Sequence, residues 1–322
     1  PFVKFDISGK NAHNQLQRLC SNNVKHAIGK TTYTQMLNPF GGIEADLTIS
    51  CLKENYFRVI CPALAGSHNK SHILKNINKE IKFNEVTDDL SCIGIFGPNS
   101  RKFLSGLFGD FFSKKSFPFA RGKFITFLKT KIWFQRLSFV GELGWEIYIP
   151  KKISNKVFDK IYKEGKKYNL GYSGMHTLDI LRLEKKFLHW GHDITSENNP
   201  IEAGLSFAVN LDNKNEFIGK EAIERIIKRP VHRKLELFSL EKHFKPGNPL
   251  LLHDEPIFFK DKIVGSTTSS NYSFYYKKNI SLAYVINGLE NQDLHLEVEG
   301  KKYPIKHEKK ALHDPNSILM RN

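Results

Sequence analysis

Hydrophobic and polar residues alternate without interruption over residues 43–50 of the 322-residue chain. The apolar members of this segment point to one side of a strand. Its polar members, which share the other side, are Glu44, Asp46, Thr48 and Ser50. The preceding segment 38–42, NPFGG, is rich in turn-forming residues, so the pattern predicts a turn that leads into a strand. Such alternation is typical of a strand with one face in water, and the alternative is a strand whose polar face lines a site.

The segment 138–150 repeats this arrangement. A turn that contains Gly141 leads into a strand in which the apolar residues Trp145, Ile147 and Ile149 alternate with the polar residues Glu146 and Tyr148. Each carboxylate alone is typical of an amphipathic strand that faces solvent. Two carboxylates, each inside a strand just after a glycine turn, indicate that Asp46 and Glu146 contact one ligand.

Strand-like and helical periods are interleaved before residue 230, and almost every segment after Lys234 is strand-like, with turns at Asp261-Lys262 and Gly300-Lys301. The predicted strands before the boundary span 1–8, 43–50, 56–61, 91–96, 123–128, 132–139 and 145–149, and the predicted helices span 9–20, 66–77, 153–168 and 177–190, with one more after Gly97-Pro98. These patterns predict an α+β protein with a domain boundary near residue 230 and a C-terminal β barrel or jelly roll.

Composition restricts the possible partners. The net charge of +16 attracts nucleic acid, anionic membrane or a small polyanionic ligand alike. Many lysines, such as Lys156 and Lys160, lie at helical spacing among polar residues, which favours a solvated surface, and no nucleic-acid-binding motif accompanies the charge. No apolar run reaches the roughly 20 residues of a membrane span. We therefore expect a soluble protein that binds neither nucleic acid nor membrane, with a basic nucleic-acid binder as the minor alternative.

The four cysteines form no CxxC pair, which fits reduced core thiols and a cytoplasmic location. His68 and His72 are one helical turn apart, but no third ligand is nearby, so we expect no metal site. The segment Phe96 to Arg101 places a Gly-Pro turn between a strand and a helix; an anion site and simple helix initiation both explain it. Charges on the helix around Arg182 are interpreted as surface ion pairs.

Six motifs occur in an order and spacing that resemble the tetrahydrofolate-dependent aminomethyltransferase family. That family includes the glycine-cleavage T-protein and the C-terminal folate domains of dimethylglycine and sarcosine dehydrogenases. The motifs are GGIEADLT (41–48), FGPNSR (96–101), FVGELGWEIYIP (139–150), LRLEK (181–185) with WGHDI (190–194) and IEAGLSF (201–207), FIGKEA (217–222), and TTSSNYS (267–273) with KNISLAYV (278–285). The stretch 177–179, TLD, replaces the Ala-Arg-Asp of true T-proteins, so the chain looks closer to the dehydrogenase-associated branch.

The resemblance implies a three-domain cloverleaf around a central folate site. Its expected divisions are two interleaved α+β domains, roughly 1–50 with 170–230 and 51–169, and a C-terminal barrel over 231–322. The family's key aspartate falls on Asp46, as the catalytic residue. The residues expected to hold the cofactor tetrahydrofolate are Glu146, with Glu142 as the second choice for the pterin-binding carboxylate, and the wall residues Tyr33, Met36, Phe139 and Tyr148.

By the same resemblance, the expected reaction transfers a one-carbon unit from a methylated amine, or an iminium ion derived from one, to tetrahydrofolate. The product is 5,10-methylenetetrahydrofolate. The alternatives are a folate-binding module without activity, a folate-dependent demethylase, and the folate domain of a larger flavin dehydrogenase, present as a domain or a separate subunit. The segment 61–63, CPA, departs from the Asn that T-proteins carry there, which argues against lipoyl-linked transfer. The chain begins without Met, so either the initiator was removed or the chain continues upstream.

Overall fold

A computed structural model describes residues 2–211 and 216–322, so Pro1 of the first predicted strand lies outside the described residues. The strands are β1 Phe2–Ser8, β2 Thr31–Leu37, β3 Ile43–Lys53, β4 Tyr56–Pro62, β5 Lys82–Glu85, β6 Leu90–Phe96, β7 Arg121–Phe127, β8 Thr130–Arg136, β9 Gly144–Pro150, β10 Arg233–Leu240, β11 Pro256–Phe259, β12 Lys262–Ser273, β13 Lys278–Ile286, β14 Leu294–Val298 and β15 Lys301–Glu308. The α-helices are α1 Ala12–Leu19, α2 Gly66–Asn76, α3 Ser100–Phe108, α4 Lys151–Gly165, α5 Met175–Glu184, α6 Lys220–Ile227 and α7 Ile318–Arg321. No helix in these two ranges is long and apolar enough to cross a membrane.

The first sheet has the antiparallel order β2-β3-β4-β1-β5. One of its faces carries the apolar positions of β3, including Ala45 and Leu47, and packs on Leu16 of α1 and Ile73 of α2. The division expected near residue 50 falls inside this sheet and is wrong at that point, because β4 pairs with β3 and β5 pairs with β1. β3 and β4 are neighbouring antiparallel strands of one sheet, so no domain boundary lies between them. The second sheet begins only at β6.

The second sheet has the order β6-β9-β8-β7 and is covered on one face by α3 and α4. Its core is rich in phenylalanine and contains the apolar positions of β9 that alternate with Glu146 and Tyr148. The opposite face turns toward the first sheet, where Leu52 and Ile60 pack on Trp133 and Tyr148. The polar positions of β3 and β9 therefore lie on the two faces that meet between the sheets.

The strands β10 to β15 close into a barrel of order β10-β13-β12-β11-β14-β15, which confirms the predicted C-terminal barrel. Leu237 and Leu282 of the barrel share a core with Leu37, Ile43 and Leu183, so the barrel packs on α5 and the β2–β3 end of the first sheet. Together with the two sheets, this arrangement confirms the expected α+β fold.

The helix predicted over 177–190 is shorter than expected. α5 ends at Glu184, since Lys186 has a left-handed backbone with φ +57° and the amide of Phe187 bonds back to the carbonyl of Arg182 at 2.8 Å. The interpretation of its charges as a surface array is also wrong. Arg182, Glu184 and Lys185 are all buried. The barrel strand β12 contacts Arg182 and Glu184, and Lys185 pairs with Asp314 in the segment after the barrel.

Candidate functional site

Asp46 lies on the polar face of β3 and keeps some accessible surface. Gln35 faces it from β2 in direct register and donates from Nε2 to Oδ1 at 2.9 Å. The Tyr33 side chain, two residues earlier on the same face of β2, also forms a hydrogen bond with this carboxylate. The burial of Asp46 raises its pKa to about 6, against the lowering effect of the two hydrogen bonds. A carboxyl group with such a pKa can accept or release a proton near neutral pH.

Glu146 lies on β9 and is buried, with 8% of its surface exposed. The hydroxyl of Tyr148 donates to its Oε2 at 2.6 Å, and Nε2 of Gln135 donates to the same oxygen at 3.3 Å. Burial raises the pKa of Glu146, and these two donors partly oppose the shift. Both donors contact Oε2, so Oε1 has no hydrogen-bond partner within the described ranges and is available to a ligand.

A polar network connects the two sheets. Ser50 donates from Oγ to Oε1 of Gln135 at 2.5 Å, and Oγ1 of Thr31 lies 2.8 Å from the same serine oxygen. Gln135 therefore links Glu146 of the second sheet to β3 of the first. Asp46 lies four residues before Ser50 on the same face of β3, which corresponds to about 13 Å along the strand. The two carboxylates thus belong to one face-to-face interface between the sheets.

The predicted wall residues have different locations. Tyr33 stacks on the exposed ring of Phe207, with ring centroids 6.0 Å apart, and Phe139 stacks on Phe187 at 6.3 Å. Tyr148 contacts Glu146 through its hydroxyl, so its role is to hold the carboxylate. The placement of Met36 in the wall is wrong: it is fully buried in the core beneath the first sheet. It follows Gln35 directly, and successive residues of a strand point to opposite faces.

Glu142 does not join this network. Its Oε1 lies 2.7 Å from Nε2 of His313, in the segment that follows the barrel. The preceding residue, Gly141, has φ +79°. The side chain of Lys185 occupies the space that a Cβ of Gly141 would need, so the turn packs closely against the end of α5. Of the two candidate carboxylates, Glu146 is the one that faces the first sheet.

Three polar residues of this interface were not predicted from the sequence: Gln35, Ser50 and Gln135. All three are completely buried. The available signal was the period of two, because Gln35 lies opposite Asp46 and Gln135 lies opposite Glu146 in the strand register. Uncharged polar residues such as these form no recognisable sequence motif. Their place in the site could be recognised only once the pairing of the strands was known.

The anion reading of the segment 96–101 is not supported by its hydrogen bonds. The amide of Gly97 bonds to the carbonyl of Leu143 at 2.8 Å, and the amide of Ser100 bonds back to the carbonyl of Gly97 at 3.0 Å. Both amides therefore donate to carbonyl groups of the protein itself, which agrees with the alternative that this segment simply begins a helix. Among the described residues, no group of three or more His, Cys, Asp or Glu side chains is arranged to hold a metal ion.

Two sheets that face each other through a carboxylate-bearing interface, with a barrel packed beside them, define the class of protein. The same fold is found in glycine cleavage system aminomethyltransferase T from Bartonella henselae, with a TM-score of 0.86, 20% sequence identity, and coverage of 98% of this chain and 84% of that one. Residues 1–213 match the GCVT N-terminal domain, and residues 233–314 match the glycine cleavage T-protein C-terminal barrel domain. The chain belongs to this aminomethyltransferase-like, folate-dependent family.

Several curated proteins are similar over nearly the whole chain. The mitochondrial dimethylglycine dehydrogenase of Rattus norvegicus is 32% identical over 315 residues, which cover 94% of this chain and 36% of that protein. The mitochondrial sarcosine dehydrogenase of Homo sapiens is 31% identical, with 98% and 37% covered. An aminomethyltransferase of Listeria monocytogenes is 30% identical, with 93% and 81% covered. The chain spans little more than a third of the length of the two dehydrogenases.

Proposed function

We propose that this protein transfers a one-carbon unit from an amine-derived donor to tetrahydrofolate and forms 5,10-methylenetetrahydrofolate. The observation that carries the proposal is Asp46, a carboxyl group with a pKa of about 6 at the position of the family's key aspartate. As an anion it would stabilise the incoming iminium cation, and it would accept a proton from the attacking folate nitrogen. Tyr33 and Gln35 would hold it in orientation.

The residues present fit a reduced pterin. Oε1 of Glu146 has no hydrogen-bond partner among residues 2–211 and 216–322. A carboxylate can accept the ring N–H and the exocyclic amino group of a pterin as a paired, charge-assisted contact. The exposed ring of Phe207 and the ring of Tyr33 supply an aromatic surface on the first-sheet side. The excess of positive charge would attract the carboxylates of the folate tail. When bound, tetrahydrofolate would supply the nitrogen pair that captures the one-carbon unit.

Two further possibilities have support in the comparisons. Similarity to dimethylglycine and sarcosine dehydrogenases makes a flavin dehydrogenase domain or subunit a candidate partner, and a methylated amine the candidate source of the one-carbon unit. The second candidate function is a folate-binding module without transferase activity. One relative that is 30% identical over 296 residues, the mitochondrial pyruvate dehydrogenase phosphatase regulatory subunit of Mus musculus, is named as a regulatory subunit and not as a transferase. We also propose a cytoplasmic location, because all four cysteines are free thiols, as is usual in a reducing compartment.

The decisive experiment for the proposed function is a tetrahydrofolate titration followed by a transfer assay. Binding should be saturable, and 5,10-methylenetetrahydrofolate should form faster than in the uncatalysed reaction when formaldehyde and dimethylamine supply the iminium ion. Binding without acceleration would support the module instead. Absence of binding would reject both candidates.

Glu146→Gln should weaken tetrahydrofolate binding by about 10- to 100-fold. The amide replaces one acceptor oxygen with a donor, and a hydrogen bond to a charged group contributes about 1.5–3 kcal/mol. Calorimetric or fluorescence titration measures the dissociation constant. Glu142→Gln is the matched control and should stay within about twofold of wild type; a larger loss in the control than in Glu146→Gln would transfer the pterin-binding role to Glu142.

A further inference from the structure

Glu44 lies two residues before Asp46 on the same face of β3, and no role follows for it from the proposed transfer. Adjacent same-face residues of a strand are about 7 Å apart, so Glu44 is beside the site without joining the hydrogen bonds around Asp46. Its side chain is 16% exposed, which leaves the carboxylate accessible from one side.

Two side chains hold the Glu44 carboxylate. Asn38 donates from Nδ2 to Oε1 at 3.2 Å, and Nε2 of His68 lies 2.7 Å from Oε2. Asn38 is fixed, because its Oδ1 accepts the backbone amides of Phe40 and Gly42 in the turn before β3. The side chain of His68 is 45% exposed on α2, so a rotamer change can move it into solvent. Glu44 thus has one fixed partner and one that can be displaced.

Trp190 lies against the imidazole of His68, with ring centroids 5.4 Å apart and planes at 29°. The indole N–H donates to the carbonyl of Ile43 at 3.0 Å, which fixes the ring at the beginning of β3. His68 therefore occupies a slot with a carboxylate at one end and an indole face along one side. A carboxylate and an aromatic face are the two groups with which proteins bind substituted ammonium ions.

His72 also faces Glu44, from the next turn of α2. Burial lowers the pKa of His72, Glu44 opposes this shift, and His68 and Lys75 add to it, so His72 is neutral at neutral pH. His68 is then the imidazole in direct contact with Glu44, with its Nε2 2.7 Å from Oε2. An incoming cation has to replace only that contact.

We infer that the slot formed by Glu44, His68 and Trp190 binds the cationic amine end of the one-carbon donor, with His68 moving out as the donor enters. The inference rests on the proposed function and assigns a binding slot to the amine end of its donor, a substituted iminium ion. A protein with a net charge of +16 repels such a cation at long range, so local negative charge beside Asp46 is needed to hold it.

The charge of the donor is conserved through the transfer. A folate nitrogen attacks the iminium carbon, which forms one C–N bond and neutralises the iminium nitrogen. The second folate nitrogen then forms the other C–N bond as the bond to the departing amine breaks. Both protons released by the folate nitrogens end on that amine, the first of them by way of Asp46, so a substituted ammonium ion with one positive charge departs and Asp46 returns to its anionic form. An anionic slot therefore remains complementary to the donor before and after the reaction.

Tryptophan fluorescence tests this slot with dimethylammonium chloride as the probe, against sodium chloride at the same ionic strength. Trp133 and Trp145 are buried, at 1% and 0% exposure, so a change reports Trp190. Wild type should show a saturable change as the imidazole leaves the indole. Glu44→Gln should bind about tenfold more weakly or not at all, because the charge-assisted contact is lost.

Two further variants sharpen the result. Trp190→Phe should lose the fluorescence change, and a change that persists in this variant would contradict the slot. His68→Gln should keep binding, because the glutamine side chain can also be displaced and the substitution leaves both the Glu44 carboxylate and the Trp190 indole in place.

The matched control is Glu85→Gln, which removes another carboxylate that pairs with α2, through Lys70 at 2.9 Å, but has no indole beside it. It should bind the probe within about twofold of wild type. Equal binding by Glu44→Gln and wild type, or no saturable change in wild type, would overturn the inference. A tetrahydrofolate titration of the same samples separates the two proposals: probe binding through Glu44 without folate binding would retain the slot and reject the proposed transfer.

Discussion

Asp46→Asn is expected to reduce kcat for one-carbon transfer by about 10²- to 10⁴-fold, the usual contribution of a positioned acid–base group. The asparagine keeps an oxygen to accept from Gln35, so the fold and the affinity for tetrahydrofolate should change little. What is lost is the negative charge beside the iminium ion and the capacity to accept a proton. Single-turnover formation of 5,10-methylenetetrahydrofolate measures the effect.

The same substitution should stabilise the protein at neutral pH. The pKa of Asp46 is raised from 3.8 to about 6 in the folded protein, so between these values the native state binds a proton that the unfolded state has released. The free energy of unfolding therefore falls as pH rises through this window, and at pH 7 the ionised group costs about 3 kcal/mol. Asp46→Asn removes that cost. Its advantage in thermal unfolding should be present at about pH 7 and disappear toward about pH 4.

The pH dependence of wild-type turnover has the matching sign. The reactive form of Asp46 is the anion, so turnover should rise as pH increases through about 6. A turnover-active Asp46→Asn protein, or a wild-type profile that falls through this range, would remove Asp46 from the catalytic role. Asp261→Asn is the control for the chemical change alone, because its side chain is fully exposed in a barrel turn. It should alter neither turnover nor stability.

The alternation of polar and apolar residues predicted which face of each strand is polar, but it did not predict that this face is buried. Alternation in β3 and β9 placed Asp46 and Glu146 correctly on faces opposite the core. It could not reveal that these faces meet each other, since the contact joins residues as distant as Ser50 and Gln135. The error at Met36 arose because the nearness of its segment to the two carboxylate-bearing strands was taken as sufficient for a place in the wall. A strict application of the same period would have assigned Met36 to the core.

The buried charges of α5 were misread for a related reason. Asp179 and Arg182 have the i,i+3 spacing of a surface ion pair, and they do form one at 2.7 Å. Local spacing cannot show what covers a helix, and here the barrel covers it. The pairing of Arg182 with Asp193, eleven residues later, depends on the turn that ends α5, which no residue pattern in the segment predicted.

Arg182→Met should therefore destabilise the protein by about 3–5 kcal/mol. The side chains of Arg182 and Asp193 are 3% and 0% exposed, and their charged atoms lie 2.6 Å apart. The guanidinium also donates to Ser269 of the barrel at 2.8 Å. Removal of the arginine leaves Asp193 as a buried charge without its counter-ion, which costs more than the pair itself contributes. Thermal unfolding should shift downward by about 6–10 °C.

Two comparisons identify the cause of that loss. Arg225→Met removes an arginine from an exposed pair with Glu221, at 3.6 Å, and should change stability by less than about 0.5 kcal/mol. The double variant Arg182→Met/Asp193→Leu removes both buried charges and should recover part of the stability, because apolar replacements of a buried ion pair avoid its desolvation cost. If Asp193→Leu lowers the stability of the Arg182→Met variant by as much as it lowers that of the wild type, the two charges of the buried pair are not coupled. The packing of α5 on the barrel would then depend on the hydrogen bonds that Asp193 accepts from the His189 amide and the Thr268 hydroxyl, independently of Arg182.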